Sequence, residues 1–147
     1  MLFRSDHEGE LLPLTRYLRS KASEVSAAQL FYAQAYIQGV TRPAMRFLNS
    51  YDAFLTPTLA SPPVPVGYFD DVEPIENFGR QERFTPYTVW HNISGQPAVT
   101  LPLYWNAQGL PIGVMVAGRV GDEATLISLS AQIEAARPWR DKHPQIW

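Results

Sequence analysis

Apolar residues recur at three- and four-residue intervals in three parts of the chain, the spacing of helices that turn one face to a core. Leu11, Leu12, Leu14, Tyr17 and Leu18 predict a short helix, with Pro13 tolerable in its first turn. Ser26-Ala27-Ala28-Gln29 then reads as a capping box, in which the Ser hydroxyl and the Gln side chain each satisfy a free backbone N–H. A long helix follows from there. Its apolar positions include Leu30, Phe31, Ile37, Val40, Met45, Phe47 and Leu48, it ends near Asn49, and Pro43 predicts a kink near Gly39 to Arg42. The third pattern, Ala124, Leu126, Ile127, Leu129 and Ile133, predicts a final helix capped by Asp122 and ended by Pro138.

Other stretches carry strand and turn signals. Tyr51 to Thr56 is a brief apolar run stopped by Pro57, the mark of a short buried strand, and five prolines between Pro57 and Pro74 predict an extended irregular stretch. From Asp70 to Glu82 five acidic residues meet only Arg80, which predicts an exposed, mobile segment. Thr85 as a cap, Pro86 at the first helical position and Gly95 as a stop bracket a helix from Pro86 to Ser94. Val99 to Trp105 and Ile112 to Ala117 are β-branched or aromatic runs joined by Asn106-Ala107-Gln108-Gly109, an antiparallel hairpin. The resulting order describes an α/β protein, a small mixed sheet layered with helices. Both hairpin strands are apolar on both faces, as strands inside a larger sheet are. The chain therefore reads as part of something larger.

Composition narrows the class. A length of 147 residues with a 46% apolar share suits one domain, 1–147, with a real core. The net charge of −2 comes with no basic run to neutralise phosphates, which argues against nucleic acid. The chain has no cysteine and three scattered histidines, so neither a disulfide frame nor a metal site is expected. No cofactor is implied. The first residues, Met1 to Glu8, lack the apolar core of a signal peptide, and no segment has the length of a membrane span. A cytoplasmic protein without membrane contact is the expectation.

Two motifs carry more. Asn92-Ile93-Ser94-Gly95-Gln96-Pro97-Ala98-Val99-Thr100-Leu101-Pro102, followed by Gly109-Leu110-Pro111-Ile112-Gly113-Val114-Met115, resembles the closing part of the amidase signature family. Tyr51-Asp52 through Thr56-Pro57-Thr58 is similar to that family's strand ending in a Thr-Pro-Thr turn, and Asp122 to Glu134 resembles its last helix. The resemblance, from about Ser26 onward, implies a partial amidase-signature-type fold. It also implies amide hydrolysis by a nucleophilic Ser, a second Ser and a neutral Lys, carried on a Gly/Ser-rich segment and a strand upstream of the matched region. Residues 1–147 hold no such Gly/Ser run, and their only lysines are Lys21 and Lys142, near the two ends among polar residues. Neither is expected to be a catalytic base.

No catalytic residue is therefore assigned. His91 and Ser94 stand three apart on a predicted helix, but Ser94 lacks a strained Gly-x-Ser-x-Gly elbow and no acidic residue stands by to orient His91. Asn92-Ile93-Ser94 matches the glycosylation sequon by chance in a chain without a secretory signal. The glycines around Leu110 lack the Lys-Ser/Thr of a phosphate loop and are structural. The resemblance places Phe84, Thr85 and Thr88, with Trp90 nearby, on the acyl pocket, an aromatic and hydroxyl-bearing wall suited to holding an amide's acyl part. The alternative is that Phe84 and Trp90 are core and Thr85 only a cap. The favoured account is a part of an amidase that hydrolyses a carboxylic acid amide C–N bond and is inactive alone, with a homodimer or a complementary amidase half as partner. The alternatives are a stand-alone degenerate module acting as a homo-oligomeric binding or structural protein, and an enzyme with a different chemistry.

Overall fold

The computed structural model describes residues 5–143. The sequence reading of Met1 to Arg4 lies outside the described residues. A 3-10 turn, Ser5–Glu10, precedes α1 (Pro13–Ala22), α2 (Ala27–Leu48), β1 (Phe54–Pro57), α3 (Pro74–Phe84), α4 (Thr88–Ser94), β2 (Ala98–Trp105), β3 (Pro111–Ala117) and α5 (Glu123–Ala136).

The capping box at α2 forms as the sequence predicts: the Gln29 N–H donates to Ser26 Oγ at 3.2 Å and the Ser26 N–H to Gln29 Oε1 at 2.8 Å. The helix runs unbroken through Pro43. Two residues before it, the Thr41 hydroxyl donates to the Ile37 carbonyl at 3.0 Å, which satisfies a hydroxyl that is only 4% exposed.

The acids between Asp70 and Glu82 are exposed, as expected, but the stretch is regular from Pro74 onward. Pro74 to Phe84 forms α3, with Pro at the first helical position. Two arginines serve its neighbourhood, and Arg83 makes the shorter contact with Glu76, at 2.8 Å. Arg80 donates to the Tyr68 carbonyl and to Asp71 at 2.9 Å, meets Glu76 at 3.4 Å and lies 4.6 Å from the centre of the Tyr68 ring. With this clamp the preceding loop is held against α3, and α1 packs on the same helix.

The three strands stand in the order β1-β3-β2. Both pairings are antiparallel, where a mixed sheet was expected. Leu55 pairs with Val116, and Val99 and Leu101 with Val116 and Val114. The Thr58 N–H donates to the Gly113 carbonyl and the Gly118 N–H to the Pro97 carbonyl. Because backbone groups alternate in direction along a strand, the N–H positions of Pro57 and Pro102 fall on the outer sides of β1 and β2, where a missing donor costs no ladder bond. The core lies between the sheet and α5: Leu101, Val116 and Leu126 are buried, and Val99, Leu103, Leu129, Ile133 and Trp139 pack around them. It is a small core.

Candidate functional site

The four residues singled out from the sequence sit at the corner between α3 and α4. Thr85 is not the cap of a helix starting at Pro86. It is the C-terminal cap of α3, its hydroxyl donating to the Gln81 carbonyl at 2.9 Å, and α4 starts three residues later at Thr88. Two helices meet here with few residues between them, and the Thr that would serve the second is taken by the first. The Thr88 hydroxyl donates back to the Thr85 carbonyl at 3.1 Å, closing the corner. Both hydroxyl protons are thus committed, leaving oxygen lone pairs that can accept from an N–H.

Phe84 ties this corner to the Pro-rich loop. Its carbonyl accepts the Ala60 N–H at 3.0 Å, and its ring stands 5.6 Å from that of Phe69. Beside it a cavity of about 200 Å³ is lined by Leu59, Ala60, Ser61 and Pro62 on one side and Ile112 and Gly113 on the other. Phe84, Thr85 and Thr88 are brought together; Trp90 is directed elsewhere.

Trp90 belongs to a second arrangement, built around Gln96. This residue is 5% exposed and makes four hydrogen bonds: its Oε1 accepts from the Trp90 indole N–H at 2.8 Å and from the Ser94 hydroxyl at 3.4 Å, its Nε2 donates to the Gly118 carbonyl at 3.0 Å, and its backbone N–H donates to Ser94 Oγ at 3.3 Å. Gly95, with φ 73°, provides the left-handed turn that swings the chain out of α4 and back under it. Gln96 therefore fastens α4 to the end of β3. The sequence offers no signal for this, since Gly118 lies 22 residues away.

The sheet face under α4 carries hydroxyls. Thr58 Oγ1 and Thr100 Oγ1 are 3.1 Å apart, and Thr56 Oγ1 is buried with no partner. Gly113 makes room for the pair, because a Cβ there would lie 2.6 Å from Thr100 Cγ2 and 2.8 Å from Thr58 Oγ1. A glycine inside an apolar strand is the one legible trace of this close approach.

His91 and Ser94 do not form a dyad. The His91 ring stacks on Phe54, centroids 5.8 Å apart, with Nδ1 buried and unpartnered, while Ser94 engages Gln96. Burial pushes the His91 pKa below its ordinary value near 6.5 by penalising the charged ring. Lys21 is exposed and bonded to Glu24 at 2.9 Å, a hydrogen bond and charge that raise its pKa. Lys142 is exposed, with its ammonium 5.7 Å from the centre of the Trp105 ring. Among the described residues no cluster of metal-ligating side chains is present, and no helix is long and apolar enough to cross a membrane.

The amidase family profile matches residues 4–127. The chain belongs to the amidase family. Putative amidase AmiC of Mycobacterium tuberculosis is 37% identical over 102 residues, covering 69% of this chain and 22% of its own length. Putative amidase AmiB2 of the same organism is 30% identical over 140 residues, covering 95% of this chain and 30% of its own. The chain thus spans less than a third of these relatives. In fold it is similar to 6-aminohexanoate cyclic dimer hydrolase, with a TM-score of 0.82 at 24% identity, over 97% of this chain and 31% of that one. The small sheet is accordingly a partial version of an amidase fold.

Proposed function

We propose that this chain forms the scaffold and one wall of the acyl pocket of an amide hydrolase, and that cleavage of the amide C–N bond needs polypeptide beyond residues 1–147. Phe84, Thr85 and Thr88 form the wall, the Pro-rich loop stands against them through Ala60, and Trp90 fixes α4 through Gln96. A hydrogen-bond donor on the substrate's acyl part would find acceptors in the two threonine hydroxyls. A cytoplasmic setting belongs to this reading, and the cysteine-free composition agrees with it.

The observation that carries the proposal is the state of the lysines in an amidase-family chain. The family's route requires a base to take the Ser proton and donors to meet the oxyanion. Lys21 lies at the surface with its pKa raised by Glu24, and Lys142 is exposed beside the Trp105 ring, so neither occupies the desolvated site beside a Ser hydroxyl that the route requires. Purified alone, the chain should release no ammonia or amine from short aliphatic and aryl amides, and a serine-directed fluorophosphonate should label nothing. Turnover that disappears in Ser94→Ala or His91→Ala would overturn this.

A further inference from the structure

The longest helix of the chain is half unpacked. Every residue of α2 from Ala27 to Val40 is exposed, whereas the last two turns are anchored, with Thr41 buried and Ala44, Met45 and Leu48 half-buried against the neighbourhood of α4. The exposed half is not polar. Leu30, Phe31, Tyr32, Tyr36 and Val40 are 55%, 73%, 74%, 65% and 50% exposed, and no charged residue lies between Ala27 and Thr41.

The apolar residues also circle the helix. At about 100° per residue, Phe31 and Val40, nine positions apart, point about 180° from each other, with Tyr32 and Tyr36 on the arc between. Gln29 is engaged in the capping box, Gln34 and Gln38 share one narrow stripe between Leu30 and Phe31, and apolar side chains take most of the remaining circumference. A helix so largely apolar needs cover on more than one side, and one of this length has little stability of its own in water. A second copy of this chain related by a two-fold axis would cover one side only, because such an interface presents one patch to its counterpart. Enclosure on opposite sides calls for a surrounding polypeptide, and the relatives of this chain have more than two-thirds of their length outside the matched part.

We propose that Ala27–Val40 is a plug enclosed on opposite sides by further polypeptide of the same amidase, not a dimerisation helix. This rests on the reading that the chain is one part of an amidase. The test compares two settings. In the isolated chain, Phe31→Lys and Val40→Lys should each change Tm by no more than about 2 °C, since both positions face water. In a chimera, the chain replaces the 140-residue stretch of AmiB2 that it matches. There each substitution should lower Tm by about 5 °C or more, because each buries a charge. Phe31→Leu and Val40→Ile should be tolerated in the chimera.

A chimera indifferent to both lysines would overturn the proposal, as would one that cannot fold with the unaltered helix. So would a discrete dimer of the isolated chain that Val40→Lys dissociates while Phe31→Lys does not, for then the occupant is a second copy. Amide hydrolysis by the chimera is read separately. A chimera that loses Tm as stated yet hydrolyses nothing keeps the plug and overturns the pocket.

Discussion

Gln96 gives the sharpest test of how α4 is held. Gln96→Ala removes three side-chain hydrogen bonds, the longest of them from the Ser94 hydroxyl at 3.4 Å, and leaves the Trp90 indole N–H and the Gly118 carbonyl without the partner that each has at 2.8 and 3.0 Å. An orphaned buried polar group costs about 1–3 kcal/mol, so two cost roughly 2–6 kcal/mol in stability. For a chain of this size that corresponds to a fall in Tm of roughly 5–15 °C, readable by circular dichroism or by the urea midpoint. A double-mutant cycle makes the cause specific. Trp90→Phe in the Gln96→Ala background removes the orphaned donor, so the two changes together should cost less than their sum by about 1 kcal/mol or more. A Gln96→Ala cost below about 1 kcal/mol, or additivity within about 0.5 kcal/mol, would refute the tie.

Three further outcomes follow from other contacts. Gly113→Ala forces a methyl to 2.6 Å from Thr100 Cγ2 and should cost about 1–3 kcal/mol by urea unfolding, part of it recovered by adding Thr100→Ser. Burial depresses the His91 pKa from near 6.5. The unfolded chain therefore binds the proton first as pH falls, and stability is full above that value and declines below it through the lower folded pKa. Unfolding midpoints measured across that range should show this slope, and His91→Gln should flatten it. Arg80→Ala removes the link from α3 to Tyr68 and Asp71. It should cost about 1 kcal/mol or less in global stability, yet speed proteolytic cleavage between residues 67 and 73.

What the sequence disclosed was mostly local. The Ser26–Gln29 box, the Asn106–Gly109 turn and the apolar spacing of α5 are each written within a few residues, and each forms where it was read. The α3 helix is hidden in a count of charge along the chain: five acids and one arginine look like a solvated run, but in space Arg80 meets Asp71 at 2.9 Å and Arg83, just beyond the run, meets Glu76 at 2.8 Å. Thr85 was assigned to the wrong helix because a threonine before a proline is an N-cap signal whichever helix end precedes it. The roles of Gln96 and Thr100 depend on residues 22 and 42 positions away and have no local signature. The three residues of the proposed wall that cluster do so because α3 ends directly beside α4, which the sequence could place only through resemblance to a family.

The strand order has a kinetic consequence. β3 is the last strand made, yet it lies in the middle, between β1 and β2. Until residues 111–117 exist, β1 has no partner among the described strands, and Phe54 must wait for Ala117, 63 positions on. The β2-β3 hairpin is local and closes on a microsecond scale, whereas joining β1 closes a loop that holds α3 and α4 and is entropically later. The hairpin is thus the seed, and β1, with the α2 end that leads into it, is the latch. A chain still emerging from a ribosome therefore holds β1 without its sheet partner for that whole interval, and this is when the strand edge is most open to wrong pairing.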